Sequence, residues 1–203
     1  MWRMGRMMRG LGMIAALVGL AAAQPAAAQF SDAYNFLKAV RDKDGGKATQ
    51  FLDKPGNTIV NIRDNDTGDT ALHIVTRRSD LPWMGFMIGK GANVNAKDGE
   101  GSTPLIIAAI SRFSEGIDLL LKAKAQPDVQ NRLGETALLK AVQNRDTTSA
   151  KLLIDAGANP DIADSSGISA RSAATGDPRA AAIARMLKDV AVRTNRPVQG
   201  PTR

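Results

Sequence analysis

Apolar residues along this chain recur in short helical bursts rather than in alternation. Ala33, Phe36, Leu37 and Val40 share one face of a helix, as do Leu105, Ala108 and Ala109. After each polar turn a second apolar stretch follows, of which Gly116-Ile117-Asp118-Leu119-Leu120-Leu121 is the clearest. The pattern predicts pairs of short helices, with the Leu-Leu step of the second helix facing a core.

The bursts keep a 33-residue phase. Gly68, Gly101, Gly134 and Gly167 hold it, and so do Thr70, Thr103, Thr136 and Ser169. Gly91-Ala92, Lys124-Ala125 and Gly157-Ala158 share the step, as do Met87-Ile88, Leu120-Leu121, Leu153-Ile154 and Met186-Leu187. Several residue classes in one phase define a repeat. Within a unit, Thr103 is suited to cap the first helix, and Pro104 is pre-set for its first position. Gly91 and Gly157 are suited to stop the second helix in a left-handed conformation. No unit can bury its apolar face alone, so the units must stack.

The turn segments Gly68-Asp69-Thr70-Ala71-Leu72-His73, Gly101-Ser102-Thr103-Pro104-Leu105 and Gly134-Glu135-Thr136-Ala137-Leu138 resemble the G-x-T-P-L-H turn of the ankyrin repeat. Gly91-Ala92-Asn93-Val94-Asn95-Ala96 resembles that family's closing segment. The resemblance implies an all-α solenoid of about five helix-turn-helix units joined by β-turn or hairpin loops, with degenerate caps at both ends. Residues 29–190 form the expected domain, in units of about 30–63, 64–97, 98–130, 131–163 and 164–190. Arg171 stands where Leu72, Leu105 and Leu138 stand, which fits the exposed end of a terminal unit. Residues 191–203 are expected to be a disordered basic tail.

Residues 1–28 read as an address. Arg3, Arg6 and Arg9 precede an uncharged run from Leu11 to Ala23, and Ala26-Ala27-Ala28 follows. These are the three parts of a secretory signal peptide, with Ala28 as the cleavage residue. The run is shorter than the roughly 20 residues of a spanning helix. Export of a bacterial chain to the periplasm is expected; an extracellular chain or one tethered to the inner membrane is the alternative. Loss of the leader would lower the formal charge from +7 to +4, because residues 1–28 contain three arginines and no acid.

Composition narrows the chemistry. With no cysteine there is neither a disulfide nor a thiolate, and a mature charge of +4 is too mild to indicate nucleic acid. Gly85-Phe86-Met87-Ile88-Gly89-Lys90-Gly91 has the wrong glycine spacing for a phosphate loop and lacks its Ser/Thr. Asp64-Asn65-Asp66-Thr67-Gly68-Asp69 resembles a calcium loop, but Asp69 and Val75 stand where Gly and Glu belong. It reads better as an inter-unit turn with one extra residue. His73, the only histidine, is read as the turn histidine implied by the family resemblance. Trp83 reads as a packing residue. No catalytic, cofactor or metal residue is expected.

The family resemblance implies a protein partner held on the concave face. Its candidate residues here are Arg77, Arg78, Glu100, Ile110, Ser111, Arg112, Arg132, Leu133, Gln143, Asn144 and Arg145. Thr70, His73, Thr103, Pro104 and Thr136 are assigned to the turns. Ile110 and Leu133 would form an apolar centre rimmed by arginines, suited to an acidic protein surface. The expected chain is a monomer with no nucleic-acid partner and no stable membrane insertion after cleavage.

Overall fold

The computed structural model describes residues 26–54 and 58–190. Most of the leader expected over 1–28, and all of the tail expected over 191–203, lie outside the described residues. Ala28 falls in the first turn of the first helix.

Ten α-helices occur among the described residues. They are α1 (Ala26–Arg41), α2 (Gly45–Leu52), α3 (Ala71–Arg77), α4 (Leu81–Gly89) and α5 (Pro104–Ile110). Then come α6 (Ser114–Lys122), α7 (Ala137–Gln143), α8 (Thr147–Asp155), α9 (Ala170–Gly176) and α10 (Ala181–Lys188). Consecutive helices pack as five pairs. The first helices α1, α3, α5, α7 and α9 form an inner row, and α4, α6, α8 and α10 form an outer row. The fold is an all-α repeat solenoid.

The phase sets the core. Leu72, Leu105 and Leu138 are buried at equivalent inner positions. Met84, Ile117, Ala150 and Ile183 form a second buried column, and Met87, Leu120 and Leu153 a third. In the first three expected Leu-Leu-type steps the first residue is fully buried, and the second, Ile88, Leu121 or Ile154, is half-buried against the core. The last unit reverses this, burying Leu187 and leaving Met186 half-buried. Ala108, Ala109, Ala141 and Ala174 let the seven-residue inner helices approach closely.

Most helix starts are held by the side chain that precedes them. Thr103 Oγ1 accepts from the Ile106 N–H at 3.4 Å, and Thr136 Oγ1 from Leu139 at 3.2 Å. Asp44, Asp80 and Asp146 cap second helices in the same way. Phe113 stands in that column at α6 without a side-chain cap bond, and its ring fills the space over Gly116. A Cβ on Gly116 would lie 2.4 Å from the ring, so packing has replaced the cap.

Two hydrogen-bond ladders join the units. At the turn tips, Gly99 N–H donates to Thr67 O at 2.8 Å, Arg132 N–H to Glu100 O at 3.0 Å, and Ser165 N–H to Leu133 O at 2.9 Å. Lower down, Asn61 Oδ1 accepts from Asn93 N–H at 2.7 Å, Asn95 Oδ1 from Gln126 at 2.8 Å, and Asp128 Oδ1 from Asn159 at 2.7 Å. Asp161 continues this second column, and there it meets Arg171 at 2.6 Å. The Arg171 guanidinium also donates to the carbonyls of Leu187 and Val190, at the end of α10. Arg171 is therefore no mere tolerated polar residue at an exposed end. It is half-buried and fastens the last helix pair, and the Asp161 carboxylate holds it charged by raising its pKa.

Candidate partner-binding face

Each turn is closed by one acceptor side chain. Asp98 Oδ1 accepts from the N–H groups of Glu100 and Ser102, Asn131 Oδ1 from Leu133 and Glu135, and Asp164 Oδ1 from Ser166 and Ile168. The first turn is one residue longer: Asp64 N–H reaches Asp69 O, whereas Asp98 N–H reaches Ser102 O. Asp64 Oδ1 accepts from Asp66 and Thr67, and its Oδ2 lies 2.6 Å from Arg41. The Arg41 guanidinium and these N–H donors hold the Asp64 carboxyl at about 2. That carboxylate is occupied by its own turn, which accounts for its likeness to a calcium ligand. No group of three or more His, Cys, Asp or Glu suited to a metal occurs among the described residues.

His73 is fully buried between two turns. Its Nδ1 accepts from the Thr70 N–H at 3.1 Å, so Nε2 carries the proton and donates to Ser102 O at 3.1 Å. Burial lowers its pKa below 6.5, which suits a neutral ring with one donor and one acceptor. The imidazole thus closes the α3 N-terminus and reaches across to the next unit. Thr103, Pro104 and Thr136 are buried at equivalent helix starts.

The arginines divide into two groups. Arg77 is exposed but pairs with Asp69 at 3.2 Å and Asp98 at 2.6 Å. Arg78 is turned inward. It donates to Val40 O at the end of α1, pairs with Asp80 at 3.1 Å, and lies 5.2 Å over the Trp83 ring. Arg145 pairs with Asp177 at 2.7 Å. Arg112 and Arg132 are exposed, and neither has a carboxylate partner among the described residues. A rim of free arginines through 78, 112 and 145 is therefore corrected to Arg112 and Arg132. Asn144, in the same column as Arg78, is likewise spent: its Nδ2 donates to Ala109 O at 3.0 Å and Ile110 O at 3.1 Å. Both side chains cap the inner helix of the preceding unit.

The left-handed column lies one residue further on. Lys43, Ser79, Arg112 and Arg145 all have positive φ, between 53° and 59°. Ser79, rather than Arg78, is thus the equivalent of Arg112 and Arg145.

Apolar side chains do remain open. Ile110 is 47% exposed, Leu133 62% and Ile168 43%. Glu100, Ser111 and Gln143 are exposed polar neighbours in the same units. Sequence reasoning missed Tyr34, 63% exposed, and Ile62, 37% exposed. They line a cleft of about 420 Å³ between α1 and the first turn, with Leu37, Arg41 and Asp66. The first unit lacks the turn motif, so the phase gave no address for them; only the outward position of Tyr34 on α1 was available as a signal. Trp83 is half-buried, edge-on to Phe86 at 6.0 Å. The segment 85–91, with its phosphate-loop flavour, is the end of α4 and the turn after it.

Stacked helix pairs with ladders between turn tips, an open inner face and shallow surface clefts define a repeat solenoid built to present a surface. Comparison with known proteins gives the family. The profile for ankyrin repeats in three copies matches residues 36–131 and 72–164, and the chain belongs to the ankyrin-repeat family. It is similar to the nuclear factor NF-kappa-B p105 subunit of Gallus gallus, 36% identical over 73 residues. That match covers 36% of this chain and 7% of the relative's length. Members of this family are in general non-enzymatic interaction modules that bind proteins.

Proposed function

We propose that this chain is an exported, non-enzymatic module that binds one protein partner along its inner face and turn tips. The observation that carries the reading is the apolar surface left open there, chiefly Ile110 and Leu133. Exposed apolar side chains in a scaffold otherwise so fully paired mark a contact surface. Arg112 and Arg132 supply positive charge not neutralised within the described residues, which favours an acidic partner surface. Export rests on residues 1–28, with cleavage after Ala28 and release to the periplasm. A scaffold tethered by an uncleaved leader is the second reading, motivated by the uncharged run from Leu11 to Ala23.

The test is affinity capture from a periplasmic extract with the wild-type chain and with Ile110→Asp combined with Leu133→Asp. Both side chains are open to solvent, so the double variant keeps its circular dichroism while capture is lost. Arg112→Glu with Arg132→Glu weakens capture and reduces its salt dependence. Unchanged capture by the apolar double variant overturns the binding face. N-terminal sequencing decides export: a chain starting at Gln29 supports release, and an intact Met1 supports the tether.

A further inference from the structure

In each of the first four units, one residue of the loop between the two helices is left-handed: Lys43, Ser79, Arg112 and Arg145. A residue that bears a side chain is strained there. The residue after it precedes the second helix: Asp44, Asp80, Phe113 and Asp146. Asp177 holds that place in the fifth unit, before its short 3-10 turn. These two columns pair from unit to unit. Lys43 meets Asp80 of the next unit at 3.5 Å, and Arg145 meets Asp177 of the next at 2.7 Å. Between the second and third units neither place is charged, since Ser79 and Phe113 stand there.

Arg112 breaks the row. The acid in line for it is Asp146, whose two carboxylate oxygens accept from the Ser149 N–H and hydroxyl. Glu115, the nearest acid in sequence, accepts from Ser114 Oγ at 3.2 Å and makes no ion pair among the described residues. Of the three loop cations, Arg112 alone has no carboxylate partner among the described residues. It carries the strain of its column without the pairing that Lys43 and Arg145 obtain. Strain kept where the scaffold makes no use of it marks a functional position. Two residues earlier, at the end of α5, Ile110 is 47% exposed.

We propose, resting on the binding face described above, that the loop between α5 and α6 is the anchor for an acidic segment of the protein partner. A carboxylate of that segment takes the place a scaffold acid takes beside Lys43 and Arg145, and pairs with Arg112. An aliphatic side chain next to that carboxylate packs on Ile110. The probe is the acetylated and amidated peptide Gly-Ser-Asp-Leu-Ser-Gly, titrated into the isotope-labelled full chain and followed by NMR. It shifts the Arg112 Nε–H and Ile110 methyl resonances with a millimolar dissociation constant. A twin peptide with Asn for Asp binds at least several-fold more weakly. Arg112→Gly abolishes the Ile110 response yet raises Tm by about 2 °C, because glycine relieves the left-handed strain. Arg145→Gly leaves the response intact. An equal response to the Asn twin, a response centred on Arg132 and Leu133, or no response overturns the proposal. The peptide needs no natural partner, so this failure is distinct from failure of the face. Capture from extract that still depends on Ile110 and Leu133 would then keep the face and remove only this anchor.

Discussion

Four turn glycines share nearly one backbone conformation and differ in what stands behind them, so they separate backbone strain from the inter-unit ladder. Gly68, Gly101, Gly134 and Gly167 have φ of 69°, 76°, 76° and 80°. Alanine at any of them costs about 1 kcal/mol, because an L side chain crowds the left-handed region. At Gly167 a Cβ meets nothing within 4 Å, so that cost is the whole effect. At Gly134 the Cβ would lie 2.9 Å from Ser165 N and 3.0 Å from Asp164 Cα, both backbone atoms of the next turn. To admit it the tips must part, which strains the Ser165 N–H bond to Leu133 O. Overpacking of about 1–2 kcal/mol plus a weakened hydrogen bond brings the total to about 2–4 kcal/mol. Gly101, with Arg132 N at 3.0 Å, belongs with Gly134, and Gly68, with Gly99 N at 2.6 Å, is the worst case. Urea denaturation followed by circular dichroism gives the order Gly68→Ala, then Gly134→Ala and Gly101→Ala, then Gly167→Ala. Hydrogen exchange adds a local check: Gly134→Ala speeds exchange of the Ser165 amide and leaves that of Gly99 unchanged. Equal losses at all four positions would refute the argument, because φ alone would then explain the data.

Three further outcomes follow from the same geometry. Lys124 has φ of 67° where Gly91 and Gly157 stand in neighbouring units, so Lys124→Gly stabilises by about 0.5–1 kcal/mol and raises Tm by about 2 °C in a thermal scan. Because the native His73 pKa lies below the unfolded 6.5, stability is full above that pH and falls as pH drops toward the native value, by at most about 1.4 kcal/mol per unit. His73→Asn removes that slope below pH 6.5 in urea titrations; an equally steep slope in the variant would assign it elsewhere. Arg171→Leu, although it restores the residue type of its column, removes the ion pair with Asp161 and the guanidinium bonds to the Leu187 and Val190 carbonyls, at about 2 kcal/mol. Hydrogen exchange should quicken in α9 and α10 and stay unchanged in α3 and α5; uniform protection would show that Arg171 is not a fastener.

Much of the fold was legible because the repeat tests every residue several times. Leu72, Leu105 and Leu138 share a phase and share full burial. Gly91 and Gly157 stop α4 and α8 with φ of 85°, as their place in the unit implied. The phase failed where a unit departs from its neighbours. Phe113 replaces a capping acid by packing on Gly116, a trade visible only once the ring and the missing Cβ are placed together. In the last unit the buried residue slips from Met186 to Leu187 after the short 3-10 turn Pro178–Ala180. The acceptors that close the turns, Asp98, Asn131 and Asp164, stand in phase, but a short polar residue in a turn reads as surface until its bonds to the following N–H groups are seen.

The binding face was legible in outline and not in detail, for a physical reason. A period gives each residue an address but says nothing about which neighbour its side chain will reach. Arg78 and Asn144 have the addresses of surface residues at helix ends, and both turn back to satisfy carbonyls of the preceding inner helix. Carbonyls at the end of a helix lack their regular helical partner, so a long or amide side chain one unit away is drawn to them before any partner arrives. Arg145 and Arg77 are drawn instead to carboxylates, Asp177 and Asp98. What remains for a partner is what the scaffold itself does not consume. Ile110 and Leu133 remain because no unit beyond them covers their outward faces, and Arg112 and Arg132 because no acid within the described residues reaches them. A binding face in a repeat protein is thus found by subtraction, after every cap, ladder and ion pair between units has been assigned.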